Sequence, residues 1–352
     1  MTQVQGPRVR LRQSNIGRLD SRTFDVLILG GGINGAVAAS SLTSRGASVA
    51  LIDASDFASG TSQESSNLVW GGIKYLESFE FRLVRKLCLS RNHLIRSYPS
   101  TVEELRFLTT LDAKFRWPRV MIWAASWLYW AMGSFFTGIP RLLSRKGIEA
   151  REPVVRTEAS QGGLEYSDAF LVDNDARFVF RFIRAALDHG GVVANYVRSL
   201  GSEREGDAWV TRARDEMSGR ELTIRSRVVI NACGPWVDDH NTLTGIKTAH
   251  KHLFSKGIHL VVRRITKERR CLAFFASDGR LFFCIPMGNK SVIGTTDTRV
   301  EEPTKEVTPE DRSFVLGNIN RLLDLDPPLT EADIIAERSG VRPLVVEPEK
   351  AG

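Results

Sequence analysis

The sequence predicts an α/β fold in which a dinucleotide-binding unit is interleaved with an antiparallel sheet. Three observations predict it. The apolar run Phe24-Asp25-Val26-Leu27-Ile28-Leu29 feeds directly into Gly30-Gly31-Gly32-Ile33-Asn34-Gly35. A small-residue helix pattern follows (Ala36, Val37, Ala38, Ala39, Leu42), and a second run, Ser48-Val49-Ala50-Leu51-Ile52, ends on Asp53. Farther along, short β-rich runs alternate with turns over residues 192–231 and again from Gly257.

The first two observations together form a βαβ dinucleotide fingerprint, with the acid about 20 residues beyond the glycines. Gly30 permits the tight turn, Gly32 lets the backbone approach a pyrophosphate, and Gly35 lets helix and strand pack closely. Gly31 and Asn34 belong to the same loop. The helix N-terminus offers free N–H groups and a positive dipole end to phosphates. Asp53 can accept hydrogen bonds from ribose hydroxyls.

A chain of 352 residues has room for two or three domains. Its 42% apolar and 25% charged residues are ordinary for a globular protein. The net charge of +7 suits an anionic small molecule or an anionic membrane surface. Nucleic acid is not an expected partner, because the basic residues are scattered and no nucleic-acid motif is present. The four cysteines, Cys88, Cys233, Cys271 and Cys284, form neither C-x-x-C nor zinc spacing. No metal is expected, and reduced thiols point to the cytoplasm.

Residues 1–23 are basic and polar without an apolar core, which reads as a disordered arm rather than a secretory signal. Residues 24–75 form the first nucleotide-binding unit. Residues 76–150 read as a mainly helical insertion. Within it, residues 120–140 carry no charge and are rich in Trp and Phe, with Arg116, Arg119, Arg141, Arg145 and Lys146 on the flanks. That stretch fits a buried helix pair, a segment in a membrane interface, or a span of about 20 residues. Residues 151–235 continue the nucleotide domain: an amphipathic helix over 178–187 stops at Gly190-Gly191, a β-meander follows, and residues 227–232 read as a buried strand. Residues 236–344 form mainly an antiparallel-sheet substrate domain, with a helix after Pro309, and residues 345–352 read as a truncated end.

Several stretches together resemble the FAD-dependent glycerol-3-phosphate dehydrogenases, within the wider group of FAD-dependent amine and hydroxy-acid oxidoreductases. They are residues 25–36, Gly60-Thr61-Ser62, the run from Ser65 through Trp70-Gly71-Gly72-Ile73-Lys74-Tyr75-Leu76-Glu77, Phe81-Arg82-Leu83-Val84, Glu165-Tyr166-Ser167-Asp168 and Asp175-Ala176-Arg177. Asn231-Ala232-Cys233-Gly234-Pro235-Trp236, Lys256-Gly257-Ile258-His259, Ile293-Gly294-Thr295-Thr296-Asp297 and Ser339-Gly340-Val341-Arg342-Pro343-Leu344 complete the series, in the family's order.

The resemblance implies a Rossmann-like FAD-binding domain interleaved with an antiparallel-sheet α+β substrate domain, and FAD as the dinucleotide. It places Thr61, Ser62, Gly71 and Gly72 near the pyrophosphate and flavin, and Ala232 and Gly234 on a second turn that closes over FAD. It implies oxidation of glycerol 3-phosphate to dihydroxyacetone phosphate, with electrons passed to a quinone. A peripheral place at the inner face of the cytoplasmic membrane goes with it.

In such an enzyme the cofactor carries the redox step while the protein supplies orientation and charge. Arg342 is the expected anion clamp, since a guanidinium matches phosphate oxygens with two parallel hydrogen bonds. Lys74 and Tyr75 stand where the family has Arg-Tyr, and Thr296 lines the pocket floor. His259 is the expected general base; taken alone it fits a structural histidine as well. Trp70 replaces a family His, and Asn67 often aligns with a Lys. Another hydroxy acid, a polyol phosphate or an amine is therefore an open alternative, as is a flavin oxidase. The family's further glycine-rich segment does not follow Arg342, so a split or inactive fragment, completed by a second chain, is the third reading.

Overall fold

The computed structural model describes residues 7–112 and 117–346. In chain order the first half runs α1 (Pro7–Leu19), β1 (Thr23–Leu29), α2 (Ile33–Thr43), β2 (Val49–Ile52), β3 (Leu68–Val69), α3 (Phe81–Ser97), β4 (Val102–Asp112), α4 (Arg119–Met132), β5 (Arg141–Leu143), α5 (Arg145–Arg151) and β6 (Ser160–Leu171). Then come α6 (Asp175–Asp188), β7 (Val192–Ala194), β8 (Val197–Glu205), β9 (Ala208–Asp215), β10 (Glu221–Asn231), α7 (Val237–Leu243) and β11 (Lys251–Arg263). The chain continues through β12 (Arg270–Phe275), β13 (Leu281–Met287), β14 (Lys290–Gly294), β15 (Thr298–Val300), α8 (Pro309–Leu322) and β16 (Ala336–Val346). Residues 1–6 of the expected arm, Arg116, and residues 347–352 of the expected truncated end lie outside the described residues.

Two sheets organise the chain. The first has the order β7-β2-β1-β10-β9-β8, with β7, β2, β1 and β10 parallel. The apolar run at residues 24–29 is the central β1, buried because α2 and α6 cover one face through Ala36, Ala39, Val179 and Ile183. Asn174 caps α6 by accepting from the Arg177 N–H, and Gly190 at φ +81° follows its end, as the sequence signals. The expected meander is β8, β9 and the first half of β10; its last run, Leu222–Ile224, and the expected separate buried strand from Arg227 are one strand, β10. Residues 221–226 pair antiparallel with β9, while 227–231 pair with β1 alone. In that second half Ile230 packs against the α2–α6 layer, while Val228 is 49% exposed.

The expected disordered arm is helical from Pro7. Helix α1 closes the other face of the first sheet by burying Ile16 and Leu19 against Phe24, Leu27 and Val192. Asn15 Nδ2 donates to Val193 O at 2.9 Å, and Arg12 pairs with Asp215 at 2.5 Å. Basic composition suggested solvation, but Arg12 is spent on Asn195 and Asp215 across the fold.

The second sheet has the order β15-β11-β14-β13-β12-β4-β6-β3, with β16 paired to β11 and β5 to β6. It is antiparallel apart from the β4–β12 pair. Two boundary expectations change here. The insertion over 76–150 contains the 11-residue strand β4, and residues 160–171, assigned to the nucleotide domain, form β6 of this second sheet. Strand β4 is buried on both faces, with Leu105 and Phe107 in one apolar layer and Leu108 in the other. That removes the alternation by which a strand is recognised, and the three-residue spacing of Val102, Leu105, Leu108 and Leu111 imitates a helix.

Residues 120–140 contain one helix rather than two. Helix α4 ends at Gly133, and Ser134 and Phe135 turn the chain at positive φ. Its inner side buries Ser126, Tyr129 and Met132, while Val120, Met121, Trp123, Trp127 and Leu128 are exposed. Among the described residues no helix is long and apolar enough to cross a membrane.

Helix α8 packs on one face of the second sheet, burying Val315, Leu316 and Ile319 against Ile258, Leu260 and Val262 of β11. Lys256 points to the same side and donates to Asp311 at 2.6 Å, both side chains being buried. Asp311 also closes the capping box of α8 with Thr308. Removing one member of a buried pair leaves an uncompensated charge and costs about 3–5 kcal/mol. Asp311→Ala is therefore expected to lower the unfolding free energy by about that amount in chemical denaturation, and Lys256→Met with Asp311→Leu to recover most of it. A loss under about 1 kcal/mol for the single variant contradicts this account.

Candidate functional site

The fingerprint has the geometry its glycines suggest. Gly30 adopts φ +103°, and a Cβ there would overlap the Ala232 carbonyl oxygen, so only glycine lets the end of β10 approach the end of β1. A Cβ on Gly35 would overlap Gly30 O. These two contacts hold the first turn of α2 against both strand ends. Helix α2 has no side-chain cap, since its N-cap residue is Gly32. Ser62 Oγ accepts the Ile33 N–H at 3.0 Å, and Asn34 is exposed in the same turn. The carboxylate of Asp53 accepts from Gly31 N at 2.6 Å and from Ser55 N at 2.8 Å. Burial pushes its pKa up, and those two N–H groups oppose the shift.

The facing wall is the second sheet. Along β11, Ser255, Gly257 and His259 alternate with the residues that face α8, so they share the opposite face. Strand β16 pairs in register, placing Arg342 opposite Ser255 and Arg338 opposite His259. Arg342 donates to Ser255 Oγ at 3.3 Å and Thr295 Oγ1 at 3.3 Å, and lies 3.8 Å from Asp297. A side chain on Gly257 would overlap this guanidinium. The two walls are stapled together. Thr61 Oγ1 donates to Val341 O at 2.8 Å, and Arg338 donates to Gln63 O and lies 3.5 Å from Asp175.

A family model described as FAD dependent oxidoreductase matches residues 25–351. The chain belongs to that family. It is 35% identical over 334 residues to glycerol-3-phosphate dehydrogenase 2 of Mycobacterium tuberculosis (strain ATCC 25618 / H37Rv), covering 93% of this chain and 56% of the relative. It is 30% identical to D-erythritol 1-phosphate dehydrogenase of Brucella abortus (strain 2308), with 92% and 64% covered. Among solved structures it superposes on the glycerol-3-phosphate dehydrogenase from Bacillus halodurans complexed with FAD, with a TM-score of 0.77 and 28% identity, over 96% of this chain and 60% of that one. The chain thus spans little more than half the length of the curated relatives it matches.

The dinucleotide of this family member is FAD, and the residues fit it. Apart from the Ile33 N–H that Ser62 accepts, the α2 N-terminus, with Gly32 as its N-cap residue, offers first-turn N–H groups to a pyrophosphate. Asp53 keeps lone pairs for ribose hydroxyls beyond the two it uses. The other fingerprint residues divide by role. Thr61 ties the two walls together and Ser62 caps α2. Gly234, at φ +58° with nothing near its Cα, leaves open space beside the Ala232 turn. Gly71 and Gly72 lie in a turn packed under α3 and α4, with Gly72 at φ +79°.

The predicted catalytic group is only partly assembled. Arg342 and His259 share one face. Thr296 instead spends its hydroxyl on the Ile258 N–H at 3.1 Å, and its neighbour Thr295 reaches the guanidinium. Lys74 and Tyr75 are exposed, Tyr75 against Trp70 at a ring distance of 5.9 Å, and among the described residues no contact joins Lys74 to Arg342. Asn67 is buried at φ +58°, where its carbonyl accepts from Leu171 N, so its place is explained by the backbone. Sequence reading overlooked Ser255 and Arg338. Both sit at even spacing from His259 and Arg342 along extended runs, a signal present in the sequence.

His259 is 4% exposed, and neither ring nitrogen has a partner. Burial, together with the like charges of Arg338 and Arg342, pushes its pKa down to about 3. The ring is therefore neutral in the folded protein at pH 7. The unfolded chain takes up a proton below about pH 6.5 that the folded chain refuses, so stability is lost as pH falls from there towards the folded pKa, by at most about 1.4 kcal/mol per pH unit. His259→Gln is expected to remove that slope. Urea unfolding of parent and variant between pH 4 and 7 measures it, and a parent-minus-variant difference that stays flat contradicts the assignment.

Proposed function

We propose that this chain forms the catalytic core of an FAD-dependent dehydrogenase that oxidises glycerol 3-phosphate, or a close polyol phosphate, to the corresponding ketone. One observation carries the reading: Arg342, braced by Ser255 and Thr295, stands on the same sheet face as the unpartnered His259, and β16 is stapled to the 61–63 turn whose Ser62 accepts the Ile33 N–H at the start of α2. The names of the two relatives, both polyol phosphate dehydrogenases, support the substrate class.

Bound FAD supplies a hydride acceptor. The chain's own residues divide the remaining work. Arg342 grips the phosphate through two parallel N–H donors. Burial depresses His259 most and the guanidinium charges add to it; the phosphate charge offsets that second part, so His259 gains basicity when substrate arrives and takes the hydroxyl proton. Asp297 holds the guanidinium side of the site until the anion replaces it. The substrate carbon loses a hydride and its oxygen a proton, which balances the two-electron oxidation to a carbonyl. Arg342→Ala is expected to raise KM for glycerol 3-phosphate at least tenfold in a dye-coupled assay, since hydrogen bonds to charged groups contribute roughly 1.5–3 kcal/mol each. An unchanged KM sinks the clamp. Peroxide formed at the rate of turnover, instead of dye or quinone reduction, favours an oxidase acting on a hydroxy acid or amine.

A quinone acceptor places the enzyme at a lipid surface, and the outer side of α4 suits one. Trp123, Trp127 and Leu128 are exposed there in a run of edge-to-face aromatic contacts, with Arg141, Arg145 and Lys146 exposed close by in sequence. Aromatic rings at headgroup depth with basic neighbours form an interfacial anchor. Cosedimentation with anionic phospholipid vesicles is expected for the parent and reduced for Trp123→Ser/Trp127→Ser. Equal sedimentation of the two overturns this placement.

A further inference from the structure

We propose that Asp168 is a positioning residue: with Tyr129 and Arg91 it fixes the Gly71-Gly72 turn where the flavin of FAD packs against it. The proposal rests on the reading that this turn borders the flavin.

Asp168 lies on β6 with no exposed surface. Its Oδ1 accepts three donors from three separate parts of the chain: Gly71 N at 3.1 Å, Tyr129 Oη of α4 at 2.6 Å and Arg91 Nη1 of α3 at 2.5 Å. The Gly71 carbonyl accepts from Cys88 Sγ at 3.7 Å. Both polar groups of the Gly71 peptide are therefore turned into the protein. A Cβ on Gly71 would overlap the Tyr129 hydroxyl, so the turn sits as close to this group as a backbone can.

The surroundings make a purely structural role a poor explanation. The cluster is set among Val84, Cys88, Leu105, Phe107 and Tyr166. A buried ion pair there gains little over an apolar filling of the same volume, because desolvation offsets the attraction. Burial works against the Arg91 charge, and Asp168 with Tyr129 more than restores it. Two buried polar atoms beside the turn have no partner, Asp168 Oδ2 and Trp70 Nε1. An arrangement that leaves such atoms unmatched, yet commits three elements to one peptide N–H, is accounted for by the need to hold that peptide in place. The placement agrees. Asp168 stands opposite Leu105 on the face whose apolar layer continues through Ala273, Ile285 and Val292 to Val261, two residues from His259.

The test is FAD affinity by flavin fluorescence quenching, with the position of the bound flavin absorbance band and the apoprotein melting temperature. Parent, Tyr129→Phe and Asp168→Asn are compared with Glu152→Gln, which weakens a buried pair with Arg270 elsewhere. Asp168→Asn is expected to weaken FAD binding roughly tenfold and Tyr129→Phe by a smaller factor. Both are expected to move the flavin band. Glu152→Gln is expected to lower the melting temperature and leave affinity and band unchanged. Should Asp168→Asn fail to fold, Tyr129→Phe carries the test, because it removes one hydroxyl and no charge. A parent that binds FAD alongside folded variants with unchanged affinity and band overturns the positioning role alone. A parent that binds no FAD overturns the cofactor reading and this role with it.

Discussion

The close approach of three backbone segments at Gly30, Gly35 and Ala232 is the constraint on which the remaining architecture depends. Gly30 must present no side chain to Ala232, and Gly35 none to Gly30. Those two requirements fix where β1 ends, where α2 begins and where β10 leaves the sheet. Once they are met, the helix dipole and its free N–H groups converge on one spot without any further side-chain design. The loop at residues 60–64 then has a fixed surface to lie on, with Ser62 on α2 and Thr61 on β16.

The second sheet brings charge to that spot. Arg338 and Arg342 stand on one strand face on either side of Gly340, and burial, reinforced by their combined field, keeps the neighbouring imidazole uncharged. An anion entering the site changes the balance of all three groups at once. On the proposed reading, the residue that would grip the phosphate also tunes the group that would take the proton. Arg338 holds the 61–63 turn and lies beside Asp175, so the same strand face ties the second sheet to the first domain.

What was legible in the sequence follows from how local each requirement is. The fingerprint could be read because each glycine answers to neighbours only a few residues away or to a standard partner strand. The end of helix α6 could be read because Gly190 follows it, whereas its start, capped by Asn174, lies three residues before the expected Phe178. Strand β4 could not, because burial on both faces erases the period of two. Helix α1 was misread because Arg12 and Asn15 find partners some 180 to 200 residues away, near β7 and β9. The Asp168 group was invisible for the same reason: its donors come from a turn and two helices, and no spacing along the chain joins them. Ser255 and Arg338 lay within reach, since period two from His259 and Arg342 leads to both.

Strand β10 changes partners half-way along. Beyond Ser226 its outer edge has no strand partner among the described residues, next to a half-uncovered Val228. An edge of this kind is a template on which any extended polypeptide can nucleate, whether of the same or another chain. The exposed guanidinium of Arg227, tethered 3.2 Å from Asp25, stands at the start of that edge, where a charge disfavours the approach of a further strand. Protection of this edge therefore falls to a few residues of the strand that carries Ala232 to the cofactor turn.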